Sequence, residues 1–67
     1  MTKTITIYNS METLEVQIRT ARGMYFETFR GEERGMSRKG RTNDEILEWT
    51  IKCYAEPNAY YIIREGE

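Results

Sequence analysis

Side chains able to catalyse a reaction are scarce in this chain, because its 67 residues include no histidine. Histidine is the most common general base near neutral pH. The single cysteine, Cys53, has no such base to activate it, and the carboxyl end of a helix disfavours a thiolate. Asp44 and Glu48 are four residues apart, which is typical of a solvated helix face. We predict a half-buried structural thiol, no catalytic residue and a protein that is not an enzyme.

The sequence also lacks the residue sets that bind metals and nucleotides. One cysteine without histidine does not provide a metal site. Gly40, Arg41 and Thr42 stand where a phosphate-binding loop has Gly-Lys-Thr before its helix. Asp44 and Glu45 place negative charge at that helix end, however, which disfavours a bound anion. We therefore predict no cofactor and no metal.

A single helix is predicted over residues 42–54. Thr42 and Glu45 fit a capping box, in which each side chain accepts a hydrogen bond from a free amide of the first turn. Apolar side chains recur at helical spacing along one face, but Trp49 lies away from that stripe. Trp49 is therefore either stacked on one of the preceding arginines or exposed as an anchor for a partner.

Four segments have the apolar patterns of β-strands, namely residues 2–9, 13–20, 24–30 and 58–65. Residues 31–41 contain three glycines and no periodicity, so we predict a loop there. The predicted fold class is α+β, a two-layer sandwich with a mainly antiparallel four-stranded sheet and one helix in the order β-β-β-α-β. Residues 1–67 form a single domain. We place the last strand beside the first, with a position beside the third as the alternative.

The link at residues 21–23 decides which face of the third strand is buried. A three-residue link ending in a left-handed glycine pairs Ile18 with Phe26 and turns Glu27 outward. A two-residue link would bury Glu27, and an unpaired buried carboxylate is costly. We therefore predict the three-residue link, with Tyr25, Glu27 and Phe29 on the outer face. The predicted core is Ile5, Ile7, Leu14, Val16, Ile18, Met24, Phe26, Ile46, Leu47, Ile51, Tyr54 and one of the pairs Tyr60/Ile62 or Tyr61/Ile63.

Basic and aromatic side chains are the candidates for partner binding. The net charge is −1, yet residues 30–41 contain five basic and two acidic residues. Basic groups contact phosphates or acidic protein surfaces, while aromatic rings stack on bases and are enriched in protein interfaces. The predicted partner-binding residues are Trp49, Tyr25, Phe29, Arg19, Arg34, Arg38, Lys39 and Arg41. At this point a protein partner, single-stranded nucleic acid and no partner at all remain open.

Composition also sets expectations for location and assembly. No apolar run approaches the roughly 20 residues of a membrane span, and the N-terminus has no signal-peptide core. A single cysteine suits a reducing compartment. We predict a cytoplasmic protein that does not bind membranes. It is either a monomer or a homodimer, because a core this small gains stability from an interface.

The last third of the chain, TNDEILEWTIKCYAEPNAYYIIREGE, resembles the helix-then-strand ending of very small phage-encoded inhibitor proteins. The matching residues are Thr42, Asp44, Glu45, Trp49, Tyr54 and the segment 60–64. The inhibitors concerned act on host RNA polymerase, and anti-CRISPR proteins have similar size and simple folds. The resemblance implies a viral protein that binds a host complex in the host cytoplasm and blocks it. The alternative function is single-stranded nucleic-acid binding through an aromatic sheet face and the basic, glycine-rich loop.

Overall fold

The computed structural model describes residues 1–66, which form a five-stranded antiparallel sheet covered on one face by one helix. The fold is α+β with two layers, as predicted. The elements are β1 (Thr2–Tyr8), β2 (Thr13–Ala21), β3 (Met24–Phe29), β4 (Glu32–Ser37), α1 (Asn43–Tyr54) and β5 (Tyr60–Glu65). The sheet order is β4-β3-β2-β1-β5, so the predicted place of the last strand beside the first is confirmed.

The segment predicted as a loop at residues 31–41 contains a strand, β4. It pairs with β3 through a two-residue turn, in which Arg30 and Gly31 have φ angles of 52° and 81°. Two positive φ angles give a turn whose twist matches that of the flanking strands. Glu32, Glu33 and Arg34 lack the apolar alternation of a strand, which is why the sequence pattern did not indicate one. The prediction of four strands is therefore corrected to five.

The predicted register between β2 and β3 is wrong. Ala21 pairs with Met24 across a two-residue link, and Ile18 lies opposite Glu27 rather than Phe26. Gly23, with φ of 74°, adopts the left-handed conformation that the link requires. Since neighbouring residues of a strand point to opposite faces, the shift by one residue exchanges the two faces of β3.

The core lies between the helix and the central strands. Of the predicted core residues, seven are buried, while Ile51 and Tyr54 are half-buried against them. Met24 and Phe26 are corrected to the outer face, and Tyr25 takes their place in the core. No side chain of β5 is buried, because the helix packs over β1 and β2 and leaves β5 uncovered. The seven confirmed residues are Ile5, Ile7, Leu14, Val16, Ile18, Ile46 and Leu47.

Both ends of the helix are fixed by specific hydrogen bonds. At the start, the Glu45 amide donates to the Thr42 hydroxyl and the Thr42 amide donates to the Glu45 carboxylate, so the predicted capping box is confirmed. At the end, the Asn9 side chain donates to the Tyr54 carbonyl at 3.0 Å and accepts from the Glu56 amide at 2.9 Å. The turn after β1 therefore holds the carboxyl end of the helix in place.

Candidate interaction surface

Trp49 projects from the outer side of α1, where 51% of the residue is exposed. The guanidinium carbon of Arg41 lies 5.6 Å from the centre of its ring, within the range of a cation–π contact. Glu45, Glu48 and Lys52 complete a shallow depression of about 200 Å³ around them. We call these five residues the Trp49 patch. The two alternatives predicted for Trp49 thus occur together, since the ring is both stacked on an arginine and open to solvent.

The Trp49 patch presents an apolar centre with charges of both signs around it. Glu45 is committed to the helix cap, and its hydrogen bonds with Thr42 hold the pKa of the Glu45 carboxyl below its usual range. Glu48 and Lys52 are exposed. Protein interfaces have an apolar centre in which aromatic residues are enriched and a polar rim around it, and the Trp49 patch has the same arrangement.

Two aromatic residues predicted for partner binding lie elsewhere. Tyr25 is only 3% exposed and belongs to the core. Phe29 is half-buried on the helix side of the sheet, with its ring centre 4.9 Å from that of Tyr54. Their predicted outer-face positions are wrong because the register differs by one residue. Neither ring is part of the exposed surface around Trp49.

Arg34, another predicted binding residue, is paired with the buried carboxylate of Glu27. Its guanidinium donates to Glu27 Oε1 at 3.0 Å, and the Tyr54 hydroxyl donates to the same oxygen at 2.7 Å. The contact with Glu27 raises the pKa of Arg34 above its usual range. Burial, followed by the hydrogen bond to Glu27 and the charge of Glu27, raises the pKa of Tyr54 to about 12. The triad joins β3, β4 and α1, so its evident role is structural.

Arg38 is also used within the fold. Its guanidinium donates to the carbonyl oxygens of Ala21 and Arg41 at 3.2–3.3 Å and to Asn43 Oδ1 at 2.7 Å. These bonds tie the segment before the helix to the β2–β3 turn. Among the predicted basic residues of this segment, Lys39 is exposed and Arg41 is half-buried beside Trp49. Of the basic residues predicted in this segment, Arg41 is the one that contacts the exposed ring of Trp49.

The outer sheet face carries aromatic groups, but Tyr25 and Phe29 are not among them. The ring centres of Tyr8 and Tyr60 are 5.6 Å apart at one end of this face. Arg19 stacks on Phe26, with its guanidinium carbon 4.2 Å from the ring centre, and pairs with Glu33 at 3.4 Å. At the other side, Arg64 pairs with Glu15 at 3.2 Å. The two arginines of this face are therefore each matched by a glutamate.

Exposed apolar side chains on β5 were missed as candidates for binding. One pair of them was predicted to lie in the core, but all four are at least 37% exposed, namely Tyr60, Tyr61, Ile62 and Ile63. Four bulky residues in a row were the available signal, since such a run indicates a strand meant to be covered on both faces. Cys53 is exposed rather than half-buried, which corrects the prediction of a partly buried thiol.

Comparisons with known proteins were made for the whole chain. No protein-family model, curated protein or solved structure gave a significant match. Among the residues that the structure describes, no group of three or more potential ligands is placed to hold a metal ion. The helix formed by residues 43–54 is too short to cross a membrane, and no other helix is described in residues 1–66.

Proposed function

We propose that this protein is a non-enzymatic binding module that recognises another protein through the Trp49 patch. The observation that carries the proposal is the exposure of Trp49, the single tryptophan of the chain, on the helix side that faces away from the sheet. Tryptophan and arginine are the residues most enriched among those that contribute strongly to protein binding. A ring already held against Arg41 loses less conformational freedom on binding than a free one.

Charge favours a protein partner over single-stranded nucleic acid. Glu45 and Glu48 border the exposed ring of Trp49 and would repel phosphates. On the outer sheet face, the charges of Arg19 and Arg64 are offset by those of two glutamates. A protein surface that carries charges of both signs therefore complements the Trp49 patch and the outer sheet face better than a polyanion does.

We further propose that this binding inhibits the partner, which is a narrower claim than binding alone. It rests on the resemblance of the helix and last strand to those of small phage inhibitors, in which the helix also carries a tryptophan. On this proposal, the protein occupies a functional surface of a host transcription or defence complex in the host cytoplasm. Trp49 and Arg41 then provide the main contacts, with Lys39 at the margin.

Replacing Trp49 tests the proposal directly. The wild-type protein, immobilised and exposed to bacterial lysate, should retain one stoichiometric protein complex. Trp49→Ala should weaken binding of the purified complex about 30-fold, because loss of a central tryptophan commonly costs about 2 kcal/mol or more. Tyr8→Ala is the matched control, since it removes an exposed ring from a different surface.

A spectroscopic readout separates a direct contact from an indirect effect. Protein labelled with 5-fluorotryptophan gives one ¹⁹F resonance, because Trp49 is the single tryptophan. Binding should shift and broaden that resonance. Equal binding by Trp49→Ala and wild type, or an unchanged resonance in the complex, would overturn the role of the patch. Failure of the bound complex to lose activity would overturn the inhibitory role while leaving the binding intact.

A further inference from the structure

The two edges of the sheet differ in how well they are protected against pairing with another strand. The edge strand β4 carries exposed Glu32, Glu33 and Arg34 and contains Gly35. Charged residues on an edge strand discourage edge-to-edge association. The other edge strand, β5, has four consecutive bulky side chains that are 67%, 42%, 37% and 42% exposed from Tyr60 to Ile63. Its charged residues, Arg64 and Glu65, lie at one end of the strand, so the apolar run before them lacks the protection that β4 has.

The backbone of β5 also offers free hydrogen-bonding groups. The amide of Gly66 donates to the carbonyl of Thr2 at 2.8 Å, on the side of β1. In an antiparallel pair, alternate residues direct their N–H and C=O groups towards the neighbouring strand. By this alternation, the backbone N–H and C=O groups that point to β1 belong to Tyr60, Ile62 and Arg64. Those that point to the open edge belong to Tyr61, Ile63 and Glu65.

We infer that β5 pairs with β5 of a second copy of this chain. The two strands run antiparallel about a two-fold axis at Ile62, which lies opposite its own counterpart. Tyr61 of each copy then forms hydrogen bonds with Ile63 of the other. The result is a continuous ten-stranded sheet with closed two-fold symmetry, the commonest symmetry of protein dimers.

This register is selected by the side chains. It places Tyr61 opposite Ile63 twice on the helix side, and pairs of aromatic and β-branched residues stabilise antiparallel strands. On the outer face it places Ile62 opposite Ile62, and Tyr60 opposite Arg64, a suitable cation–π pair. A shift of the axis to Ile63 would instead set Tyr61 against Glu65 and Ile62 against Arg64. Of these two registers, the axis at Ile62 matches more of the exposed apolar surface.

Two further features favour a second copy over an unrelated strand. The net charge of −1 gives two copies little mutual repulsion. On the helix side, Ile51, Ala55, Ala59 and Tyr61 supply the apolar lining of a groove of about 360 Å³, which Lys52 and Glu56 border. In the dimer, Tyr61 and the Ile63 facing it extend this groove across the axis, so each copy supplies the same apolar surface to the other. None of the five Trp49 patch residues belongs to β5; one of them, Lys52, also borders this groove, and the other four remain free in the dimer.

Sedimentation equilibrium of the Cys53→Ser protein tests the inference without disulfide-linked dimers. The apparent mass should double as the concentration rises from about 1 to about 200 µM, as expected for a reversible dimer. Ile63→Lys should abolish the increase, because it places a charge beside the two-fold axis, opposite Tyr61 of the other copy. Met11→Lys adds the same charge at an 89% exposed turn residue and should leave the dimer intact. Trp49→Ala should also remain dimeric, which separates this test from that of the proposed function.

Hydrogen exchange of the wild-type amides gives a second readout that needs no variant. The amides of Tyr61 and Ile63 should exchange at least tenfold more slowly at high concentration than at low concentration, whereas the β4 edge should show no such change. A monomeric mass throughout with unprotected amides would overturn the inference. So would a dimer that survives Ile63→Lys, or protection of these amides only when a different protein is added.

Discussion

Glu27 shows how a costly buried group can be accommodated by its neighbours. Its side chain is 7% exposed, yet one carboxylate oxygen accepts hydrogen bonds from both Arg34 and Tyr54. A buried charge is expensive when it is isolated and much less so when it is paired and hydrogen-bonded. The cost that argued against the observed register is thus offset by partners 7 and 27 residues away in the chain.

Removing the Tyr54 hydroxyl should reveal its contribution. Tyr54→Phe leaves Glu27 with one partner fewer, so we expect the free energy of unfolding to fall by about 1–3 kcal/mol near pH 7. The measurement is urea denaturation followed by circular dichroism. Tyr8→Phe removes an exposed hydroxyl and should change stability by less than about 0.5 kcal/mol. Equal effects of the two substitutions would contradict a stabilising role for the Tyr54–Glu27 bond.

The same hydroxyl predicts a pH dependence at alkaline pH. The pKa of Tyr54 is raised to about 12 in the folded protein, whereas a tyrosine in an unfolded chain has a pKa near 10. Below pH 10 both states keep the proton and the stabilisation is complete. Between about pH 10 and 12 the unfolded state loses its proton first, so stability falls. Tyr54→Phe should lack this part of the decline, while Tyr8→Phe should retain it. An identical decline in both variants would show that another group causes it.

The segment between β4 and α1 is organised by Arg38 rather than left free to bind. Lys39 and Gly40, with φ angles of 51° and 76°, turn the chain, and the Arg41 amide donates to the Arg38 carbonyl at 3.0 Å. The Arg38 side chain then reaches back to Ala21 and forward to the start of the helix. Arg38 therefore fixes the position of Arg41 beside Trp49, which makes it a positioning residue of the Trp49 patch.

Arg38→Ala should lower the free energy of unfolding by about 1–3 kcal/mol, because carbonyl and amide oxygens lose a charged donor. Lys39→Ala changes the neighbouring exposed residue and should have an effect below about 0.5 kcal/mol. Thermal and urea denaturation of both variants provide the comparison. A destabilised Lys39→Ala together with an unaffected Arg38→Ala would mean that the hydrogen bonds of Arg38 do not hold this segment.

The distribution of charge over the molecule explains why a segment rich in arginine does not make the surface basic. Arg19, Arg30, Arg34 and Arg64 each pair with a glutamate from another part of the chain. Exposed ion pairs contribute little stability, about 0–1 kcal/mol each. Their larger effect here is to cancel local fields that would attract nucleic acid. Clusters of basic residues in a sequence need not remain clusters of free charge in the fold.

Neutralising the glutamates that pair with arginines on the outer sheet face should therefore create binding to single-stranded nucleic acid. We expect the wild type to show no binding to a single-stranded oligonucleotide near 0.15 M salt by fluorescence anisotropy. Glu15→Gln combined with Glu33→Gln should bind at low salt, with an affinity that falls steeply as salt is raised. Glu32→Gln with Glu56→Gln changes the net charge equally, away from this face and from the Trp49 patch, and should bind less. Tight binding by the wild type would favour the nucleic-acid function instead.

The sequence by itself determined the elements whose signals are local or periodic. The capping box at Thr42, the apolar stripe of the helix and the alternation of the first two strands depend on residues a few positions apart. These signals were sufficient for the fold class, for most of the core and for the position of Trp49 outside the apolar stripe. They do not depend on which strand lies beside which.

The tertiary structure decided the rest, because those features depend on partners that are distant in sequence. The observed register of β3 buries Glu27, which is tolerated because Arg34 and Tyr54 donate hydrogen bonds to its carboxylate. Arg34 reaches Glu27 because it lies on β4, the strand that pairs with β3. The exposure of β5 followed from the line that the helix takes over β1 and β2. A shift of one residue moves every side chain of a strand to the other face. The register that pairs Glu27 with Arg34 therefore also buries Tyr25 and leaves Phe26 on the outer face.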